Sequence, residues 1–157
     1  MRKLLFALIL AIIVPQAALA ADTVFVMRHL QKADGADPPL SAEGSANARA
    51  VADMLAKSGI KAIFATPTRR AMETAQPLAA RIGLTVKPYD PSKPDALAAA
   101  VAAMPGAVLV VGHSNTVPDL VARFGGKQPV TLGEQDYGTI FVVTHDDGKV
   151  TQIKIPD

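Results

Sequence analysis

Two of the three histidines in this sequence stand directly behind apolar runs. Val24-Phe25-Val26-Met27 leads into Arg28-His29, and Ala107-Val108-Leu109-Val110-Val111 leads into Gly112-His113-Ser114. A third apolar run, Ala62-Ile63-Phe64-Ala65, leads through Thr66-Pro67-Thr68 to Arg69-Arg70. If each run is a buried strand, four potentially cationic side chains, Arg28, His29, Arg70 and His113, share one edge of a sheet. Such a cluster repels itself in a low-dielectric site and is relieved by a dianion. Arginine offers planar paired donors that match the oxygens of a phosphoryl group. The helix expected after His113 adds free backbone N–H groups, including that of Ser114, and the positive end of a helix dipole. Each piece has a plainer reading: a chance Arg-His pair, a turn histidine, a solvated helix face. The ordered combination points to phosphoryl chemistry. His145, beside Asp146-Asp147-Gly148, reads as a surface turn residue.

The elements that position these residues follow from pattern. Short apolar runs at 23–27, 61–65, 84–87 and 107–111 predict strands. Helices are predicted between them. One runs from Ser41 to about Lys57, with Ala48, Val51, Ala52 and Leu55 at helical spacing and Gly59 as its stop. Another is opened by Pro67 and runs to Ile82; a third covers 95–104 and a fourth 116–123. Thr139 to Thr144 and Lys149 to Ile153 flank Asp146-Asp147-Gly148, which predicts a closing hairpin. The expected architecture is α/β: a three-layer sandwich whose mostly parallel central sheet carries helices on both faces and ends in a C-terminal hairpin. Open sheets of this class bind ligands at the carboxyl ends of their strands.

With those residues in place, the sequence resembles the histidine phosphatase superfamily, branch 1, of phosphoglycerate mutase-like fold, in its small cap-less phosphatase type. The matching pieces are Val26-Met27-Arg28-His29, Leu40-Ser41-Ala42-Glu43-Gly44, Thr66-Pro67-Thr68-Arg69-Arg70-Ala71-Met72-Glu73-Thr74-Ala75 and Val110-Val111-Gly112-His113-Ser114. Leu30 stands where the family usually has a small residue, Gln31 where many members have an acid, and Ala65-Thr66 where it has Ser-Ser. The resemblance implies that His29 is a nucleophile forming a phosphohistidine. It implies that Arg28, Arg70, His113 and the Ser114 backbone bind phosphate, with no metal and no cofactor. Family members often place an acid just after the third strand, and Asp90 is the nearest match; Asp34, Asp37 and Glu73 are rivals. The implied activity is hydrolysis of phosphate monoesters or phosphoramidates. The alternatives are a non-catalytic phosphate- or phospholigand-binding module of the same fold, and a mutase-type phosphotransferase.

Composition narrows the field. The chain has 157 residues, half of them hydrophobic and 19% charged, which suits a single globular domain. It has no cysteine, so thiol nucleophiles, disulfides and thiolate metal sites are excluded. Aromatics are 4% with no Trp, too few for a base-stacking surface.

Residues 1–20 have the layout of a secretory signal peptide: Arg2-Lys3, an apolar run from Leu4 to Val14, then Pro15 and Ala18-Leu19-Ala20. Cleavage after Ala20 leaves a 21–157 domain, with an exported, periplasmic or extracellular location and no stable membrane insertion. Loss of Arg2 and Lys3 brings the 16 Lys+Arg down to the 14 Asp+Glu, so no global basic field remains to attract nucleic acid. Expected partners are a phosphorylated small molecule, glycan or protein. The 31–39 and 89–94 connections are the expected walls of a shallow pocket.

Overall fold

Alternation inside β1 (Thr23–Arg28) sets the layers. Phe25 and Met27 join one hydrophobic cluster, while Val24 and Val26 join another on the opposite face. A strand sends successive side chains to opposite faces, so a continuous apolar run means burial on both. The computed structural model describes residues 21–155. The signal-peptide reading of residues 1–20 lies outside them.

The described chain runs β1, α1 (Ala42–Leu55), β2 (Ile60–Ala65), α2 (Arg69–Ile82), β3 (Val86–Pro88), α3 (Pro94–Ala102), β4 (Ala107–Gly112), α4 (Val117–Arg123), β5 (Thr139–Thr144) and β6 (Val150–Lys154). The six strands form one sheet in the order β3-β2-β4-β1-β5-β6. β1, β2, β3 and β4 are mutually parallel, and β5 and β6 add the antiparallel hairpin. Helices α1 and α2 cover the face carrying Met27, Ile63, Leu109 and Val111. Helices α3 and α4 cover the face carrying Val26, Phe64, Val108 and Val110. This is the expected three-layer architecture with a mostly parallel sheet.

Helix starts follow local chemistry. Ser41 caps α1, its Oγ accepting from Gly44 N at 3.0 Å. Helix α2 opens at Arg69 rather than at Pro67, because Thr68 holds extended backbone and takes the N-cap position. Gly83, at φ 69°, ends α2 in the left-handed conformation that glycine adopts without strain. The third strand begins at Val86, two residues later than its apolar run suggests, because Leu84 N closes the end of α2 by bonding to Ala79 O.

Topology decides what meets at the carboxyl edge. β4 lies between β1 and β2, so three strand ends stand side by side. Backbone bonds carry this pairing past the strands: His29 N donates to Gly112 O at 2.9 Å and Thr66 N to Val111 O at 3.3 Å. β3 is one of the two edge strands, separated from β1 by two others.

Candidate active site

His29, Arg28, Arg70, His113 and Ser114 line one cleft of about 900 Å³, open to solvent, together with Lys32, Asn115 and Glu134. The rings of His29 and His113 meet edge to face with centroids 5.3 Å apart.

The segment carrying His29 is fastened on three sides. Thr74, buried in α2, accepts from Leu30 N at 3.0 Å and donates to Arg70 O at 2.8 Å, tying the His29 loop to the helix turn that carries Arg70. Ser41 N donates to Gln31 O at 2.9 Å. Gly44 then lets α1 lie against the Gln31 backbone, where a Cβ would collide with Gln31 O. The Leu40-Ser41-x-x-Gly44 and Ala71-x-x-Thr74 patterns therefore act on the site through its backbone.

The imidazole of His29 is set in one tautomer. Its Nδ1 donates to Leu30 O at 2.8 Å, which leaves the Nε2 lone pair unprotonated. Burial lowers its pKa to about 4; the bond to Leu30 O opposes this, and the charges of Arg28, Arg70 and His113 reinforce it. At neutral pH the ring is an uncharged nitrogen base. His113 is also held below the usual histidine range, by burial and by Arg70 and Arg28. Its Nε2 lies 2.9 Å from Thr66 Oγ1, so the hydroxyl at the position of the family's second serine orients this ring.

Arg28 is only 3% exposed. Its Nη1 donates to Gly133 O at 3.1 Å and Glu134 O at 2.7 Å, and its guanidinium stacks 4.2 Å from the centre of the Tyr137 ring. Arg70 lies 3.7 Å from Asp37. The Nε atoms of both arginines are buried with no hydrogen-bond partner among the described residues. A buried guanidinium N–H without an acceptor is costly. Two of them beside an open cleft point to an anionic ligand.

Asp90 is not brought to the cleft. Its Oδ1 accepts from Ser92 Oγ at 2.6 Å and Ser92 N at 2.9 Å, and its other oxygen lies 3.6 Å from Lys93. The Ser92 hydrogen bonds, with Lys93, hold its carboxyl below the usual range. It is a turn residue at the end of the edge strand. Glu73 is likewise engaged, accepting from Leu40 N at 2.7 Å and Arg69 Nε at 2.8 Å.

The sequence places the start of α4 to within a residue but misplaces a wall. Helix α4 begins at Val117, three residues beyond Ser114, and His113 N is capped by Thr116 Oγ1 at 3.0 Å. A tight turn, rather than a helix end, therefore meets the cleft. The 89–94 connection does not line it; Tyr89 packs behind Gly112, and burial pushes its hydroxyl up to about 12. The wall comes instead from the 133–137 segment. Nothing in the sequence singles out Glu134, one acid in a polar stretch before the hairpin; its place in the cleft and its contacts with Arg28 and Ser114 identify it. Among the described residues, no group of three or more His, Asp or Glu side chains is disposed to hold a metal ion.

Residues 26–90 match the sequence profile of the histidine phosphatase superfamily, branch 1. The curated Mycobacterium tuberculosis protein Rv0525 is 56% identical over 48 residues, which is 31% of this chain but only 24% of that protein. The solved protein histidine phosphatase SixA, complexed with tungstate, superposes with a TM-score of 0.67 at 26% identity, covering 84% of this chain and 96% of that one. The mycobacterial glucosyl-3-phosphoglycerate phosphatase Rv2419c gives a TM-score of 0.60 at 19% identity over 85% of this chain and 96% of its own, a likeness of fold. The matched profile over residues 26–90 and the solved structures agree on one likeness: the chain is similar to branch 1 of the histidine phosphatase superfamily and shares the fold of its solved members.

Proposed function

We propose that the protein is an exported phosphatase that hydrolyses phosphate monoesters or phosphoramidates through a phosphohistidine on His29. The observation that carries this reading is the His29 ring, fixed by Leu30 O with Nε2 unprotonated, in a cleft lined by Arg28, Arg70 and His113. Nε2 attacks phosphorus in line, and the leaving oxygen departs on the opposite side. Arg28, Arg70 and His113 hold the equatorial oxygens and offset the charge that develops there. Water then cleaves the P–N bond. In this scheme the two guanidinium groups supply the charge that a metal ion supplies elsewhere, so the reaction needs no metal or other cofactor.

The open cleft supports hydrolysis over transfer, since water reaches the phosphoenzyme. It also suits exposed phosphoryl groups on a small molecule, a glycan or a protein, and offers few contacts to remote parts of a small substrate. The solved relatives include a protein histidine phosphatase complexed with tungstate, a tetrahedral oxyanion. Export rests on the basic, apolar and small-residue order of residues 1–20. It places the substrate outside the cytoplasm.

Steady-state phosphate release from an aryl phosphate, by wild type and by His29→Ala, tests the reading. Many turnovers by wild type and none by a folded His29→Ala variant are expected. Tight phosphate binding without turnover by wild type would make the protein a binding module instead.

A further inference from the structure

We propose that Glu134 is the proton donor to the leaving group, and that substrate binding itself loads it with the proton. The proposal rests on the phosphatase reading above and adds a residue to it. Glu134 is the one carboxylate among the described residues lining the cleft. Its Oε1 accepts from Ser114 Oγ at 2.6 Å, and its Oε2 lies 3.9 Å from Arg28 Nη2. Its own carbonyl accepts from Arg28 Nη1 at 2.7 Å, so the residue is fastened to a phosphate-binding side chain at both backbone and side chain. The other acids near the site are committed elsewhere. Asp90 is held in its turn by Ser92, Glu73 by Leu40 N and Arg69, and Asp37 accepts from Arg69 N at 3.0 Å beside Arg70.

Charge supplies the trigger. The titratable groups that share the cleft with Glu134 are Arg28 from β1, Lys32 from the following loop, Arg70 from α2, which is paired with Asp37 outside the lining, and the rings of His29 and His113; Asp136, on its own segment, is bonded to Gly133 N. A phosphoryl dianion takes over the guanidinium groups and sets two negative charges beside Glu134. Like charge disfavours the ionised form, so the carboxyl takes a proton as the dianion binds. Ser114 Oγ is a neutral partner that serves either form.

The steps balance. His29 Nε2 gives its lone pair to phosphorus, the P–O bond to the leaving group breaks, and that oxygen takes the bond pair and the Glu134 proton. The resulting carboxylate then accepts a proton from water as its oxygen attacks phosphorus. The P–N pair returns to Nε2, inorganic phosphate leaves, and Glu134, reprotonated by the attacking water, gives that proton back to solvent as the dianion departs. A monoester with a basic alkoxide leaving group needs this donor. An activated aryl ester does not.

The test compares wild type with E134Q, which preserves shape at an exposed position, on glycerol 2-phosphate and on 4-nitrophenyl phosphate. E134Q is expected to slow the alkyl ester about 100-fold or more, the scale of general acid catalysis, and the aryl ester less than about fivefold. Calorimetric titration with tungstate, in buffers of different ionisation enthalpy, counts protons. Wild type is expected to take up close to one proton more per tungstate than E134Q does. Equal effects on both esters, or unchanged proton uptake in E134Q, would overturn the role of Glu134 and leave the phosphatase reading intact. A wild type that hydrolyses neither ester nor a phosphoramidate such as phosphohistidine would overturn that reading itself.

Discussion

Arg123 and Arg28 show two ways of placing a cation on one fold. Arg123, at the end of α4, has its Nε 2.6 Å from Asp119 and a further ion pair to Asp95, so its charge is matched locally at the surface. Arg28 is buried, rests on two carbonyls and an aromatic ring, and keeps an unpartnered Nε; the Glu134 carboxylate approaches it only to 3.9 Å. The histidines repeat the contrast. His145 sits in a surface turn, whereas His29 is buried among cations. Exposed ion pairs such as those of Arg123 contribute about 0–1 kcal/mol. A buried, under-matched cation is destabilising by itself. It is stabilised by the neighbours that hold it and, on the proposed function, by a bound phosphoryl group. The lesson is that incomplete charge matching, more than residue type, separates the site from the surface.

Removing the nucleophile should have the largest effect. His29→Ala is expected to abolish phosphate release while leaving the thermal transition near that of wild type. A folded variant with wild-type turnover would break the account.

The arginines come next. Arg28→Ala and Arg70→Ala should each lower kcat/KM by about 100- to 1000-fold, the scale for losing one donor to developing charge. Arg123→Ala should leave kcat/KM unchanged and shift stability by about 1 kcal/mol or less. Equal losses in Arg28→Ala and Arg123→Ala, read in the same phosphate-release assay, would erase the contrast.

Packing behind the site gives a smaller effect. Gly44→Ala drives a Cβ into the Gln31 carbonyl, so about 1–3 kcal/mol of stability should be lost in denaturant unfolding, with activity falling as the His29 loop shifts. An unchanged midpoint and activity would show that α1 does not brace the loop.

The titration of His29 sharpens the electrostatic side. Its folded pKa is depressed from 6.5 to about 4, so the ring is neutral, and competent to attack, at every pH above that range. As pH falls from about 6.5 toward 4, the unfolded state binds the proton first, so this group's contribution to stability declines across that window. An imidazole ¹⁵N titration with a midpoint near 6.5 would show an ordinary exposed histidine. The smallest expected effect is that of chelation: EDTA should leave phosphate release unchanged, and loss of activity restored by a divalent ion would contradict it.

Much of this was legible from local pattern. Apolar runs fixed the strands, and residues directly behind three of them converge because β4 pairs with both β1 and β2. Asp90 misleads because adjacency to a strand says nothing of that strand's place in the sheet. β3 lies three positions from β1, roughly 14 Å at ordinary strand spacing. Glu134 is illegible for the opposite reason. It follows no strand and reaches the site only because Gly133 O and Glu134 O cap the buried Arg28, a tertiary contact across more than one hundred residues of chain. Thr66 is legible in the sequence only as a departure from Ser-Ser; the structure sets its hydroxyl beside His113.

The central claim is that His29 Nε2 becomes covalently phosphorylated during turnover. Rapid quench into alkali, which preserves phosphohistidine, followed by peptide mass spectrometry reads it directly. The account predicts a phosphoryl group on the His29 peptide that appears within one turnover and decays at a rate no slower than steady-state phosphate release. Phosphate release at full rate with that peptide never modified would contradict it.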